Sequence, residues 1–188
     1  SSYLQNWVNS KIETELKSLI DLKNVKDRNA ELRALAYHLY ENNGVVKRDN
    51  VLEYLNKLNQ DERKKLRNLG VKFGRYHIFL FKLFKPSSVS LRILLWKNYN
   101  EKNYDFFPPT FGLNFLEEKK NLNKSLMLLC GFEKFENLYV RIDILERLFL
   151  MIFNTKTDDK IKDIKLIPEM LNLLGCNKEN FVKLIKNH

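Results

Sequence analysis

Turn-forming residues are scarce in this chain, with 6 Gly and 4 Pro among 188 residues. That scarcity argues against long disordered linkers and against an all-β fold built on many tight turns. Cysteine is scarcer still: Cys130 and Cys176 stand 46 positions apart, each within an apolar run. They read as buried thiols of a reducing compartment, and nothing in their spacing calls for a disulfide. Long hydrophobic runs are missing as well. The longest candidate, Leu145 to Phe153, is interrupted by Glu146 and Arg147, well short of the ~20 apolar residues that cross a bilayer. No apolar signal-peptide segment opens the chain. A cytoplasmic protein with no membrane partner is expected. The sequence starts at Ser1 rather than Met, and a helical pattern already begins at Tyr3, as expected for a piece of a longer protein.

Catalytic signatures are absent too. No Gly is followed by Lys, so there is no G-x-x-x-x-G-K-[ST] phosphate loop, and no Gly-x-Gly dinucleotide fingerprint occurs. The three histidines, His38, His77 and His188, join no Cys/His cluster with zinc spacing. The acidic pairs Glu117-Glu118 and Asp158-Asp159 lie in polar stretches beside lysines and read as solvated charge rather than acid/base machinery. Ser87-Ser88, before a helix, reads as a cap rather than a nucleophile. The chain is expected to be no enzyme by itself, with no cofactor or metal of its own.

What the chain does have is localised positive charge. It carries 33 Lys+Arg against 23 Asp+Glu, a net charge of +10. From Arg63 to Lys97 there are ten bases and no acid: Arg63, Lys64, Lys65, Arg67, Lys72, Arg75, Lys82, Lys85, Arg92 and Lys97. The rest of the chain is neutral, so the charge is a regional feature, and such a region attracts polyanions, nucleic acid first among them. Six aromatics share the window: Phe73, Tyr76, Phe79, Phe81, Phe84 and Trp96. The phenylalanines sit among Val71, Ile78, Leu80 and Leu83 and read mostly as core.

Hydrophobic spacing predicts one amphipathic helix from Leu4 to Ile20, a second over about Ala30–Asn42 ended by Asn43-Gly44, and a third over Arg48–Leu58. Asn59 and Glu62 form a capping-box pattern for a fourth, closed by Gly70. Val71 to Phe84 reads as an extended segment or hairpin leading into a short helical turn. Pro86 opens a mostly buried helix carrying Val89, Leu91, Ile93, Leu94, Leu95 and Trp96. Residues 98–114 form a polar-aromatic connection and the candidate boundary between subdomains. Beyond it come an apolar segment at 126–129, a short hairpin at 135–140, and a strong helix that Asp143 can cap. A charged loop at 155–165 is expected to be mobile. Pro168 opens a helix stopped by Gly175, and Asn177 caps the last. The expected fold is mainly α with minor β: a helical-bundle subdomain (1–100) and a smaller α+β subdomain (101–188).

Three stretches carry a family resemblance. The first is Gly70-Val71-Lys72-Phe73-Gly74-Arg75-Tyr76-His77-Ile78-Phe79-Leu80, continuing through Lys85-Pro86 and Leu91-Arg92 to Leu94-Leu95-Trp96. The second is Gly131-Phe132 followed by Val140-Arg141-Ile142-Asp143-Ile144-Leu145-Glu146-Arg147-Leu148. The third is Pro168-Glu169-Met170-Leu171-Asn172-Leu173-Leu174-Gly175-Cys176. Together they resemble the C-terminal region of bacterial superfamily-two (DExH-type) helicases related to the mitochondrial RNA-degradosome, suppressor-of-Var type helicase. The resemblance implies an ATP-dependent RNA or DNA helicase whose motor, with ATP and Mg, lies upstream of Ser1. The chain departs from that family in carrying Phe81 where Pro is usual, and in stopping at His188 without a Gly-Tyr-Arg-like ending.

The resulting expectation is a non-catalytic accessory region that helps bind single-stranded RNA or DNA and braces the motor core. Lys72, Arg75, Lys82, Lys85 and Arg92 would contact phosphates, and Tyr76 and His77 would contact bases; these seven are chosen on charge and aromaticity. The rival expectation is a protein-interaction module that docks on the helicase core of the same chain or on a nuclease partner.

Overall fold

At the end of its second long helical pattern the chain reverses through Asn43 (φ 55°) and Gly44 (φ 81°). The amide of Gly44 donates to the Leu39 carbonyl at 2.7 Å and that of Asn43 to the Tyr40 carbonyl at 3.1 Å. This pair is a Schellman turn, which satisfies carbonyls that a helix end otherwise leaves bare. In this computed structural model, which describes residues 2–100, 105–118, 122–135, 138–154 and 168–186, the turn joins the first helical layer to the first sheet. The expected mobile loop at 155–165, with Asp158-Asp159, lies outside the described residues, as does His188.

The chain divides into two compact units, Ser1–Asp105 and Phe106–His188. The first unit holds α1 (Ser2–Glu15), α2 (Lys17–Lys23), α3 (Ala30–Glu41), β1 (Val45–Lys47), a 3-10 turn (Arg48–Val51) leading into α4 (Leu52–Leu55), α5 (Gln60–Asn68), β2 (Val71–Phe73), β3 (His77–Leu80), a second 3-10 turn (Phe81–Phe84) and α6 (Pro86–Tyr99). Its antiparallel sheet has the order β1-β3-β2. The register sets Val46 and Phe73 against Ile78, and Val71 against Leu80. Successive residues of a strand point to opposite faces, so these side chains share the inner face. They join Leu19, Leu22, Leu32, Leu35, Leu39, Leu55 and Leu66 of the helices in one core.

Capping by asparagine sets where α3 and α5 start. Asn29 accepts the Glu31 and Leu32 amides at 2.8 and 3.1 Å and so caps α3. The expected capping box of α5 is present, with Asn59 and Glu62 bonded reciprocally at 2.9 Å. Glu62 also accepts from the Asn29 amide group at 2.6 Å, which links the two caps. The single helix expected over Leu4–Ile20 breaks at Leu16 instead. Thr14 bonds back to the Ser10 carbonyl, a habit that bends helices, and Ser88 takes up the Glu15 carbonyl. Ser87 and Ser88 are therefore not caps. Both lie inside α6 and tie it to the end of α1 through Glu15.

The second unit contains β4 (Phe115–Glu117), α7 (Lys124–Leu129), β5 (Phe132–Phe135), β6 (Leu138–Arg141), α8 (Ile142–Asn154), α9 (Pro168–Leu174) and α10 (Lys178–Lys186). The antiparallel order is β4-β6-β5. Asn123 caps α7, and Asn177 caps α10 at 2.9 Å. Asp143 does not act as the expected cap. It sits in the first turn of α8, its carboxylate held bidentately by Arg141 at 2.7 and 2.9 Å. The Glu117-Glu118 pair is only partly solvated. Glu117 accepts from Asn180 at 2.6 Å, and Glu118 pairs with Lys134. The Lys134 hydrogen bond holds the Glu118 carboxyl below the usual carboxylate range, while burial pushes the neighbouring Tyr139 phenol up to about 12. Cys130 is buried. Cys176 is only half-buried, and desolvation raises its thiol pKa.

The fold is thus mainly α with minor β, and among the described residues no helix is long and apolar enough to cross a membrane. At Gly44 the Asn43-Gly44 turn has no room for a side chain. A Cβ on Gly44 would lie 2.4 Å from Leu83 Cδ1, at a φ that L-residues rarely adopt. Gly44→Ala should cost roughly 2–4 kcal/mol of unfolding free energy, read as a lower urea midpoint. A loss below about 0.5 kcal/mol would show that the turn tolerates a side chain.

Candidate nucleic-acid interface

The basic segment folds as α5, the β2–β3 hairpin, a 3-10 turn and α6, so the ten bases fall on four elements rather than one stripe. Seven are exposed: Lys64, Lys65, Arg67, Lys72, Arg75, Lys82 and Lys85. Lys65 reaches back to Asp27 at 2.6 Å in an ion pair that raises the lysine and lowers the aspartate. Arg63 spends a guanidinium N–H on the Leu55 carbonyl at 2.7 Å. The Arg67 guanidinium lies 5.4 Å from the centroid of the Phe73 ring, within range of a cation–π contact.

The seven residues chosen from sequence part company. Lys72 is exposed on β2, opposite Phe79 of β3 and on the sheet face away from Phe73. Arg75 is exposed and Tyr76 half-buried at the hairpin tip. Lys82, on the 3-10 turn, and Lys85, the residue before α6, are exposed at the other end of the hairpin. The four residues of β3 put them on the order of 13 Å from the tip.

Two of the seven do not belong to a surface. His77 is 2% exposed and Arg92 4%. Arg92 lies on the same stripe of α6 as the buried Ser88, Val89 and Ile93. It donates to the Leu83 carbonyl at 2.6 Å and to the Asn43 carbonyl at 3.1 Å. A guanidinium held inward on backbone oxygens serves the fold and cannot reach a phosphate without dismantling it. The aromatics also divide. Phe79 is buried and stacks on Phe84 at 5.7 Å, Phe73 is half-buried, and Phe81 is exposed rather than core.

Geometry adds a feature that charge counting missed. Arg48, Asp49, Leu52, Phe73, Gly74, Arg75 and Tyr76 line an open groove of about 540 Å³ at the hairpin tip. Arg48 fixes its floor. Its amide donates to the Tyr76 carbonyl at 2.7 Å, extending the β1–β3 ladder, and its Nη1 donates to the Gly74 carbonyl at 2.9 Å. The Gly74 amide closes the hairpin on the His77 carbonyl at 2.8 Å. Arg48 lies outside the basic window, and only the pairing of β1 with β3 brings it to the tip. Two arginines and two aromatic rings therefore meet around one concave surface, with Asp49 as its acid. No group of three or more His, Cys, Asp or Glu side chains suited to a metal converges among the described residues.

No family model, no curated protein and no solved structure matches this chain.

Removing the Arg92 head group would take the donor from the Leu83 carbonyl, in a buried contact, and from the Asn43 carbonyl, in a part-buried one. Arg92→Ala should lower the unfolding free energy by about 3 kcal/mol, measured by urea titration. Arg92→Met, which keeps the aliphatic stem, should recover only a minority of that loss. A near-neutral alanine variant would refute the inward role.

Proposed function

We propose that the chain is a non-catalytic accessory region of an ATP-dependent RNA or DNA helicase, working in the cytoplasm, that helps bind single-stranded nucleic acid and braces the motor core. The observation that carries this reading is the distribution of charge. Of ten bases in a segment without acids, seven reach the surface, in a chain whose remainder is neutral. A merely solvated surface mixes signs. Surface cations on a hairpin and its flanking turn offer phosphates a basic track, and aromatic rings beside them offer bases a stacking surface. The helicase assignment is supported by the order and spacing of the three resembling stretches, which fall on the β2–β3 hairpin with α6, on the start of β5 and on β6 with α8, and on α9. Under this reading ATP and Mg belong to the upstream motor.

A single-strand anisotropy titration of the 188-residue chain tests the proposal. Micromolar or tighter binding is expected near 50 mM salt. With about four phosphate contacts, affinity should fall about fifty-fold on raising salt to 200 mM. The combined variant K72E/R75E/K82E/K85E should bind at least as weakly as the wild type at high salt. No binding of either RNA or DNA at low salt would sink the reading.

A second reading, docking on the helicase core or on a nuclease, has its own observation. Helix α1 buries none of its residues fully, and Tyr3, Leu4 and Trp7 are 81%, 66% and 55% exposed. Three- and four-residue spacing puts Trp7 on one face with both others. If that face docks, the double variant L4D/W7D should lose co-purification with the parent motor while keeping nucleic-acid affinity. Unchanged co-purification would dismiss it.

A further inference from the structure

We infer that the groove at the hairpin tip holds one unstacked nucleotide of a single strand, its base against Tyr76 and Phe73 and its phosphate beside Arg75. This rests on the nucleic-acid reading above and gives it a specific subsite.

Four observations carry it. The first is size. About 540 Å³ falls within the range of small-ligand sites, ~300–1,000 Å³, and the groove is open, so a strand can enter and leave it. The second is lining chemistry. Tyr76 and Phe73 both line the groove and are each half-buried, Phe73 with Arg67 over its ring, and Leu52 adds an exposed apolar wall. Aromatic surface of this kind attracts the π-face of any base. The third is charge. Arg48 and Arg75 line the groove, and Arg67 lies beside it over Phe73. Asp49 is the lone acid of the lining against two arginines, so the lining stays net positive and attracts a phosphate. The fourth is preorganisation. Arg48 already binds the Gly74 and Tyr76 carbonyls, so the tip is shaped before a ligand arrives and less ordering is paid on binding.

The same features select against duplex. A paired base presents no free face, and extracting one costs a few kcal/mol of stacking and pairing. Lys72, Lys82 and Lys85 lie outside the groove lining, so they contribute sequence-independent attraction to phosphates elsewhere on the hairpin rather than to this subsite.

The test compares two labelled strands of equal length and charge, one carrying bases and one abasic, titrated against the whole chain. Wild type should prefer the base-bearing strand by roughly 5- to 150-fold. Tyr76→Ala should erase that preference while leaving the salt slope intact, and Tyr76→Phe, which retains the ring, should restore it. Arg75→Ala should instead reduce the slope by about 0.7. If wild type binds both strands equally with a steep salt dependence, the groove takes no base: the inference fails while strand binding stands. If neither strand binds, both fall together. If an acidic, tyrosine-containing peptide binds in a Tyr76-dependent manner and no base preference appears, the groove belongs to a protein ligand and the inference is likewise overturned.

Discussion

A buried guanidinium holds the first unit in register. Arg92 reaches from α6 to the carbonyls of Leu83 and Asn43, one in the 3-10 turn after β3 and the other in the Schellman turn between α3 and β1. Those two turns bracket the sheet, so a single side chain fixes where β1 enters and where β3 leaves. The Gly44 carbonyl then accepts the Leu80 amide at 2.8 Å, and Leu83 packs where a Gly44 side chain would be. Burying such a charge is made tolerable by the two backbone oxygens that its Nη1 and Nη2 meet. The hairpin, its tip and the groove all depend on this junction.

Polar ties of the same type recur in the second unit. Asn114 binds the Leu173 carbonyl at 3.0 Å, and its own carbonyl accepts the Arg141 amide at 2.9 Å, joining β6 to the end of α9. Asn180 binds Glu117, joining α10 to β4. A chain poor in glycine and proline has few preset turns, and it uses asparagine side chains to start helices and fasten connections.

Local chemistry made much of the fold readable. The Asn59–Glu62 pair marks a helix start because both hydrogen bonds form within four residues, and the aromatic, β-branched run after Gly70, read as an extended segment or hairpin leading into a helical turn, folds as a hairpin and a 3-10 turn. What the sequence concealed is non-local. Strand β1 has three residues and exists only through β3, and the Glu15 carbonyl at the Leu16 break is taken up by Ser88, seventy-three positions away. α6 is apolar on so many positions that periodicity does not show which face is inward, and Leu94 in fact faces solvent while Arg92 does not. Charge counting could name Arg75 and Tyr76 because they stand in the basic window. It could not name Arg48, which sits far away in the sequence and is aligned with the tip only by strand pairing.

The sheet of the first unit leaves β1 and β2 on its flanks, each three residues long, and each presents an exposed lysine, Lys47 or Lys72. Short flanks bearing cations discourage another chain from adding a strand there, because a second copy would bring like charges together. Lys72 therefore has a duty that does not depend on any ligand. A polyanion that neutralised it would also lift this protection against self-association, so the loaded protein should be the form more prone to cluster.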